Sequence, residues 1–436
     1  MATGTPGRPG EGSTVRIAQR WLDEGPWRDE VKVRSCGFAG SSTPASAVVA
    51  IPACNESARI EACLRACARS ARMAARTADT LTRLLVLVNG TRDDTARRAL
   101  DWGERSGQTV TVIEVDVSPR LAHAGGARRL ALDLAGADVA PDACLLTTDA
   151  DARPGRDWIS ANIAHLDAGA SLVCGQAVPE PDEIVRLPAR VIALGKIEHR
   201  YRRGSFELER LIDPDPWNPL PHHGQASGAS LAIRKRDLIA VGGVPPVPCA
   251  EDRALARRVR AQGLSVLHAD DVKVRVSCRT TGRASGGMAD TLAHRLHAAD
   301  PWCDERLEGV LALHDRLVTR ARWRAVWQVP ALRSSVLANA GILGPLAARL
   351  ADMDRFETAW HAYERALLEP ARKRLRASEL RRELPRLLAC LDTVRHRHGP
   401  GVEPTFSRTQ GGHVLGHPID AAHPSLKGLL VREASA

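Results

Sequence analysis

The chain has 436 residues, 44% of them hydrophobic and 26% charged, which is apolar material for one large domain or two and an ordinary charge content. Its 61 Lys and Arg against 51 Asp and Glu give a formal charge of +10, which suits an anionic partner or simply a solvated basic face. The absence of a ~20-residue apolar run, of a basic start followed by an apolar stretch, and of any CxxC pair argues against a membrane span, a secretory signal and a structural zinc site.

Residues 1–44 are Gly-, Pro- and Ser-rich around an Ile17–Trp27 segment of helical character and read as a partly disordered leader. A regular pattern opens at Ala45. AVVAIPA is a Val-rich apolar run, the mark of a buried strand, and Ile60, Cys63, Leu64, Cys67, Ala68 and Ala71 then share one helix face. Cys63 and Cys67 belong to that apolar stripe, so core packing of reduced thiols in a cytoplasmic protein is expected. The runs at 84–88, 110–115, 143–148 and 171–175 read as further strands, with helices between them. Strands alternating with helices at this spacing predict an α/β fold with a parallel, doubly wound sheet, whose ligands bind at the carboxyl ends of the strands.

Between Val178 and Gly224 a charged helix gives way to the loop DPDPWNPLPHH, where His222 and His223 read as satisfied loop histidines. ASLAI (229–233) resumes the core, a helix spans Glu251 to Gln262, and SVLHA and VKVRVS read as two more strands. The chain is helical and basic from 291 to 395 and loosely ordered from 396 to 436, leaving 45–290 as the main domain. The least polar late stretch, Ala331–Leu350, is broken by Arg333 and Arg349, so any membrane contact is peripheral.

The chemistry concentrates where strands end. In LLTTDADARP an apolar strand runs directly into Asp149 and Asp151, two carboxylates that can approach one divalent cation, though a solvated acidic turn would carry the same residues. Two other strand ends carry Ala53-Cys54-Asn55-Glu56 and Asn89-Gly90-Thr91-Arg92-Asp93-Asp94, and a parallel sheet brings such ends to one crevice. For Glu56, Asp93 and Asp94 a helix N-terminus is an alternative use. Glu251 and Asp252 open a helix after GGVPPVPC, as helix caps or as a general base for an attacking hydroxyl. A helix N-terminus lowers carboxylate basicity, so a base there would depend on positioning more than on a raised pKa.

Taken together, VVAIPACNE, LLVLVNGTRDDT, HAGGARRLAL, TTDADARP and GASLAIRKRDLIAVGG followed by AED resemble, in order, the motifs of the family 2 glycosyltransferases with the GT-A fold. The resemblance implies a Rossmann-like, mostly parallel sheet flanked by helices, with a helical C-terminal extension. It also implies inverting transfer of a sugar, of hexosyl type, from a nucleotide-diphosphate sugar to an unidentified acceptor hydroxyl. By it, Asp149 and Asp151 hold Mn²⁺ or Mg²⁺, and Asp252 is the base with Glu251 its neighbour. Pro52, Ala53, Asn55, Glu56, Asn89, Asp93, Asp94, Arg128, Asp149 and Ala150 line the donor site. The Gly-rich segment SCRTTGRASGGMADTL suits a mobile loop closing on phosphates through Arg279 and Arg283, and equally a flexible surface loop. The chain departs from the family at Asn89, where aspartate is frequent, and near Arg129, where asparagine is.

Other classes fit less well. A phosphohydrolase built on the first aspartate usually has Thr or Val where Arg153 stands, and its motif opens the domain. A sugar nucleotidyltransferase would begin with a Gly-rich, Lys-containing phosphate loop, and a dinucleotide-dependent oxidoreductase with GxGxxG; neither follows the first strand here. Nucleic-acid binding rests on net charge alone and is not expected. A non-catalytic nucleotide-sugar-binding protein would have no need of both acidic pairs.

Overall fold

The computed structural model describes residues 20–21, 23–40, 45–282 and 286–398. The expected leader up to residue 19, the tail from 399, and Arg283 lie outside the described residues. The described residues form two compact units, the chain passing between them after residues 186, 221, 260, 263 and 293.

The first unit is built on a nine-stranded sheet. Its strands are β1 (Val31–Ala39), β2 (Ala47–Ala53), β3 (Thr82–Asn89), β4 (Val110–Val117), β5 (Cys144–Thr147), β6 (Arg153–Pro154), β7 (Leu172–Pro179), β8 (Leu231–Arg234) and β9 (Val266–Val276). They lie in the order β1-β4-β3-β2-β5-β8-β7-β9-β6. The helices α1 (Ile60–Thr77), α2 (Thr95–Ser106), α3 (Ala124–Gly136) and α4 (Trp158–Asp167) separate the strands in sequence. The pairs β4–β3, β3–β2, β2–β5 and β7–β9 run parallel, as the βα alternation predicts. Antiparallel pairing brings in β8 between β5 and β7 and adds β1 and β6 at the two edges.

Two expectations are corrected here. Residues 31–39, read as leader, form the edge strand β1 along β4. Charged Lys32 and Arg34 hide it in the sequence, and an edge strand tolerates them because one side faces solvent. The two strands expected after Leu264 are the single β9, whose Asp270 and Asp271 fall where its register against β7 shifts between Gly175 and Gln176. A bulge absorbs the acidic residues without ending the strand.

The core of this unit is aliphatic, as composition predicts: Val48, Leu85, Leu87, Ile113, Leu130, Leu134, Leu145 and Ile233 are buried together. Since β3, β2 and β5 are parallel neighbours, their carboxyl ends open on one edge. The register Thr147 opposite Leu231 then sets the turn before β8 beside the turn after β5.

The second unit is helical. Its α5 (Ala189–Ile212) lies within the span read as 45–290, yet Leu194, Tyr201 and Leu208 pack with Leu313 and Leu317 of α6 (Val310–Val326) and with Leu380, Leu387 and Leu391 of α7 (Ala377–His398). The scarce aromatic residues gather here, with Trp323, Trp327, Phe356, Trp360 and Tyr363 forming one cluster. Arg333 turns inward, donating to the carbonyls of Trp327 at 2.8 Å and Ala351 at 3.1 Å. Among the described residues no helix is long and apolar enough to cross a membrane.

Candidate active site

The turn after β2 is shaped by Asn55, which takes a left-handed backbone with φ 53°. Asn55 donates its amide N–H to Thr91 Oγ1 at 3.2 Å, and its side-chain oxygen accepts from Arg92 N at 2.8 Å, so the turns after β2 and β3 are tied together. Asp93 accepts from Ser57 N at 3.1 Å and from Thr95 N at 3.0 Å, while Thr95 Oγ1 in turn accepts from Glu56 N at 2.8 Å. These donors hold the Asp93 carboxyl down at about 2. Its oxygens therefore serve the start of α2, the helix-terminus use. Asp94 is exposed and pairs with Arg97 at 2.7 Å. Pro52 and Ala53 form the end of β2, and Asn89 is buried at the end of β3.

Of these acids, Glu56 shares an arginine with Asp151. Its buried carboxylate takes both arms of Arg279, Nη1 to Oε2 at 2.9 Å and Nη2 to Oε1 at 2.5 Å. The same Nη2 lies 3.1 Å from Asp151 Oδ2. The backbone that delivers Arg279 is fixed by Glu183, which accepts from Ser277 Oγ at 2.8 Å, Cys278 N at 2.7 Å and Arg59 Nη1 at 2.9 Å.

Asp149 and Asp151 follow β5, with buried Ala150 between them. Asp149 is the more open, its side chain 39% exposed, and its Oδ1 accepts from Arg128 Nη2 at 2.7 Å. Burial, with the charges of Asp149 and Glu56, pushes Asp151 up to about 6 against the lowering effect of Arg279. Here four carboxylates, Glu56, Asp149, Asp151 and Glu251, share two guanidiniums, Arg128 and Arg279, which leaves a surplus of negative charge. Hard carboxylate oxygens with surplus negative charge fit a Mg²⁺- or Mn²⁺-class ion completed by phosphate oxygens and water. Among the described residues no group of three or more His, Cys, Asp and Glu gathers to hold a metal by protein ligands alone.

Arg128, expected at the diphosphate, is instead an internal strut. Its side chain is 6% exposed, and its nitrogens donate to Asp149, to Glu251 Oε1 at 2.9 Å, to Thr147 Oγ1 at 2.9 Å and to the Gly228 carbonyl at 2.8 Å. The N–H of Gly228 in turn donates to Asp252 Oδ2 at 2.9 Å. Ala250, just before the pair, holds a left-handed φ of 61°, a conformation that costs an L-residue about 1 kcal/mol or more. Burial and the neighbouring Glu251 raise the Asp252 pKa, with Arg128 and the backbone donors opposing. Desolvation therefore outweighs the expected helix-terminus effect, and Asp252 combines position with raised basicity.

Arg59, Thr147, Glu183 and Gly228 escaped sequence reading, since each acts by touching a residue far away in the chain; only the small-residue run around Gly228 hinted at close packing. His223 is a satisfied loop histidine: Nε2–H donates to the Cys174 carbonyl at 3.1 Å and Nδ1 accepts from Gln225 N at 3.0 Å.

This crevice lies at the carboxyl edge of a sheet whose strands alternate with helices. Residues 48–224 match the family model described as Glycosyl transferase family 2. Among solved structures, the mannosyltransferase PcManGT from Pyrobaculum calidifontis, in complex with GDP-Man and Mn²⁺, is 18% identical with a TM-score of 0.38, covering 81% of this chain and 93% of its own. S. aureus TarS in complex with UDP is 14% identical with a TM-score of 0.38, covering 73% and 91%. The M. tuberculosis glucosyl-3-phosphoglycerate synthase is 19% identical with a TM-score of 0.32, covering 69% and 82%. No curated protein matches the chain significantly.

Proposed function

We propose that the protein transfers a sugar, of hexosyl type, from a nucleotide-diphosphate donor to an acceptor hydroxyl with inversion, and that it does so in the cytoplasm. The observation that carries this reading is that one buried guanidinium, Arg128, holds both Asp149 and Glu251, and through the Gly228 backbone adjoins Asp252. Asp149 and Asp151 would hold Mn²⁺ or Mg²⁺, which when bound offsets charge on the departing diphosphate. Pro52, Ala53, Asn55 and Asn89 would flank the nucleotide. Asp252 takes the proton of the acceptor hydroxyl as that oxygen bonds to the anomeric carbon. The bond from that carbon to the diphosphate oxygen breaks on the opposite side, which gives inversion. Burial and the neighbouring Glu251 raise the proton affinity of Asp252.

A thermal-shift panel of nucleoside diphosphates with and without Mn²⁺ tests the reading. At least one nucleotide should stabilise the wild type only with metal, and Asp149→Ala and Asp151→Ala should lose that stabilisation. Equal stabilisation in EDTA, or in both variants, overturns it.

A further inference from the structure

We propose that Arg279 is a resident counter-cation of the donor site, so that the protein takes up its divalent ion only together with the diphosphate, as a chelate. This inference rests on Asp149 and Asp151 being the metal-facing pair.

Both carboxylates of that pair already have a guanidinium against them, Arg128 on Asp149 at 2.7 Å and Arg279 on Asp151 at 3.1 Å. The two arginines differ in how replaceable they are. Arg128 is enclosed by Thr147, Gly228 and Glu251 and cannot leave without stranding a buried charge. Arg279 is 22% exposed, and its grip on Asp151 is additional to a bidentate pair with Glu56. It can give up Asp151 and keep Glu56. The backbone before it stays fixed, because Glu183 holds Ser277 and Cys278 independently of Asp151. The exchange is therefore a side-chain movement and requires no loop closure.

A divalent ion arriving alone meets two carboxylates, no third protein ligand among the described residues, and the positive charge of Arg279. A diphosphate changes all of this. Its oxygens complete the coordination shell, its charge outweighs that of the ion, and the freed Nη2 of Arg279 gains an anionic partner in place of Asp151. Arg279 thus excludes the bare ion and accepts the loaded one.

The experiment is Mn²⁺ binding, followed by the paramagnetic resonance signal of the free ion, to wild type, Arg279→Gln and Arg279→Lys, each with and without UDP, GDP, ADP, CDP or dTDP. Thermal melts verify that the variants fold. Wild type should bind Mn²⁺ weakly alone and tightly with its nucleotide. Arg279→Gln should bind Mn²⁺ alone about tenfold or more tighter than wild type, the scale of one removed like charge, and its nucleotide more weakly. Arg279→Lys, which keeps the charge, should bind the bare ion as weakly as wild type. If metal-dependent nucleotide binding is intact but Mn²⁺ alone binds equally to wild type and Arg279→Gln, the counter-cation role is wrong and the metal pair stands. If no nucleotide binds wild type in a metal-dependent way, the metal pair itself is wrong and the inference falls with it.

Discussion

Gly228 and Arg128 adjoin so closely that a Cβ at Gly228 would lie 2.2 Å from the guanidinium Nη2. The constraint is spatial, and both backbone groups of the residue are in use, the carbonyl by Arg128 and the N–H toward Asp252. Gly228→Ala must displace a buried charge that also holds Asp149 and Glu251. Overpacking of this kind costs about 1–3 kcal/mol. We expect a lower urea midpoint together with a fall in turnover beyond the loss of folded protein. Wild-type turnover in a folded variant would show that the strut does not position the acids.

Asp252→Asn keeps the size of the side chain and removes the proton acceptor. Loss of a general base lowers turnover by about 10²–10⁴-fold. Donor affinity measured by calorimetry should be unchanged, because the Asp252 oxygens face the Gly228 and Arg253 amides. Glu251→Gln should cost stability as well as turnover, since it leaves Arg128 short of a partner. Full turnover in Asp252→Asn would reduce that residue to a helix cap.

Two buried groups set an acid limit on stability. His223 is held neutral by burial, with its pKa lowered to about 4 from an ordinary 6.5 despite nearby Asp270, and His268 is lowered in the same direction. Between those values the unfolded chain takes up a proton that the folded chain refuses, so stability is full above 6.5 and declines as pH falls toward 4. Glu183, lowered to about 2 by its donors, adds a further decline from its ordinary 4.5 toward 2. Denaturation midpoints across this range should fall with pH. His223→Gln should flatten the upper limb in part, with His268 retaining the rest, and Glu183→Gln should flatten the lower one. Unchanged slopes in both variants would refute the assignment.

Ala250 offers a test of stored strain. Ala250→Gly removes the Cβ clash of a left-handed backbone and should leave stability equal or slightly raised, whereas Ala250→Val should lower it by about 1–3 kcal/mol. Guanidinium denaturation of the folded variants distinguishes the two. Equal losses would mean that the turn has no conformational demand.

The interior strands were legible because AVVAIPA and LLVLV are continuous apolar runs, which a strand covered on both faces needs. The acids at their ends were legible because a parallel sheet gathers carboxyl ends. What escaped was set by side-chain reach: Arg128 was expected at phosphate, and only the fold shows it spending its donors on Thr147, Asp149, Gly228 and Glu251. For Asp93 the sequence left a donor-site and a helix-start use open, and its carboxylate accepts from Ser57 and Thr95 at the start of α2.

Strand β1 also bears on how the protein can be handled. The family match begins at residue 48, so a fragment cut to that boundary discards Val31–Ala39 and the contact of Trp27 Nε1 with Asp133 at 3.2 Å. It would bare the outer row of N–H and C=O groups on β4, whose sequence VTVIEVDV is a ready template for another copy. Such a fragment should self-associate through β4, so the residues that shield this edge lie outside the family match.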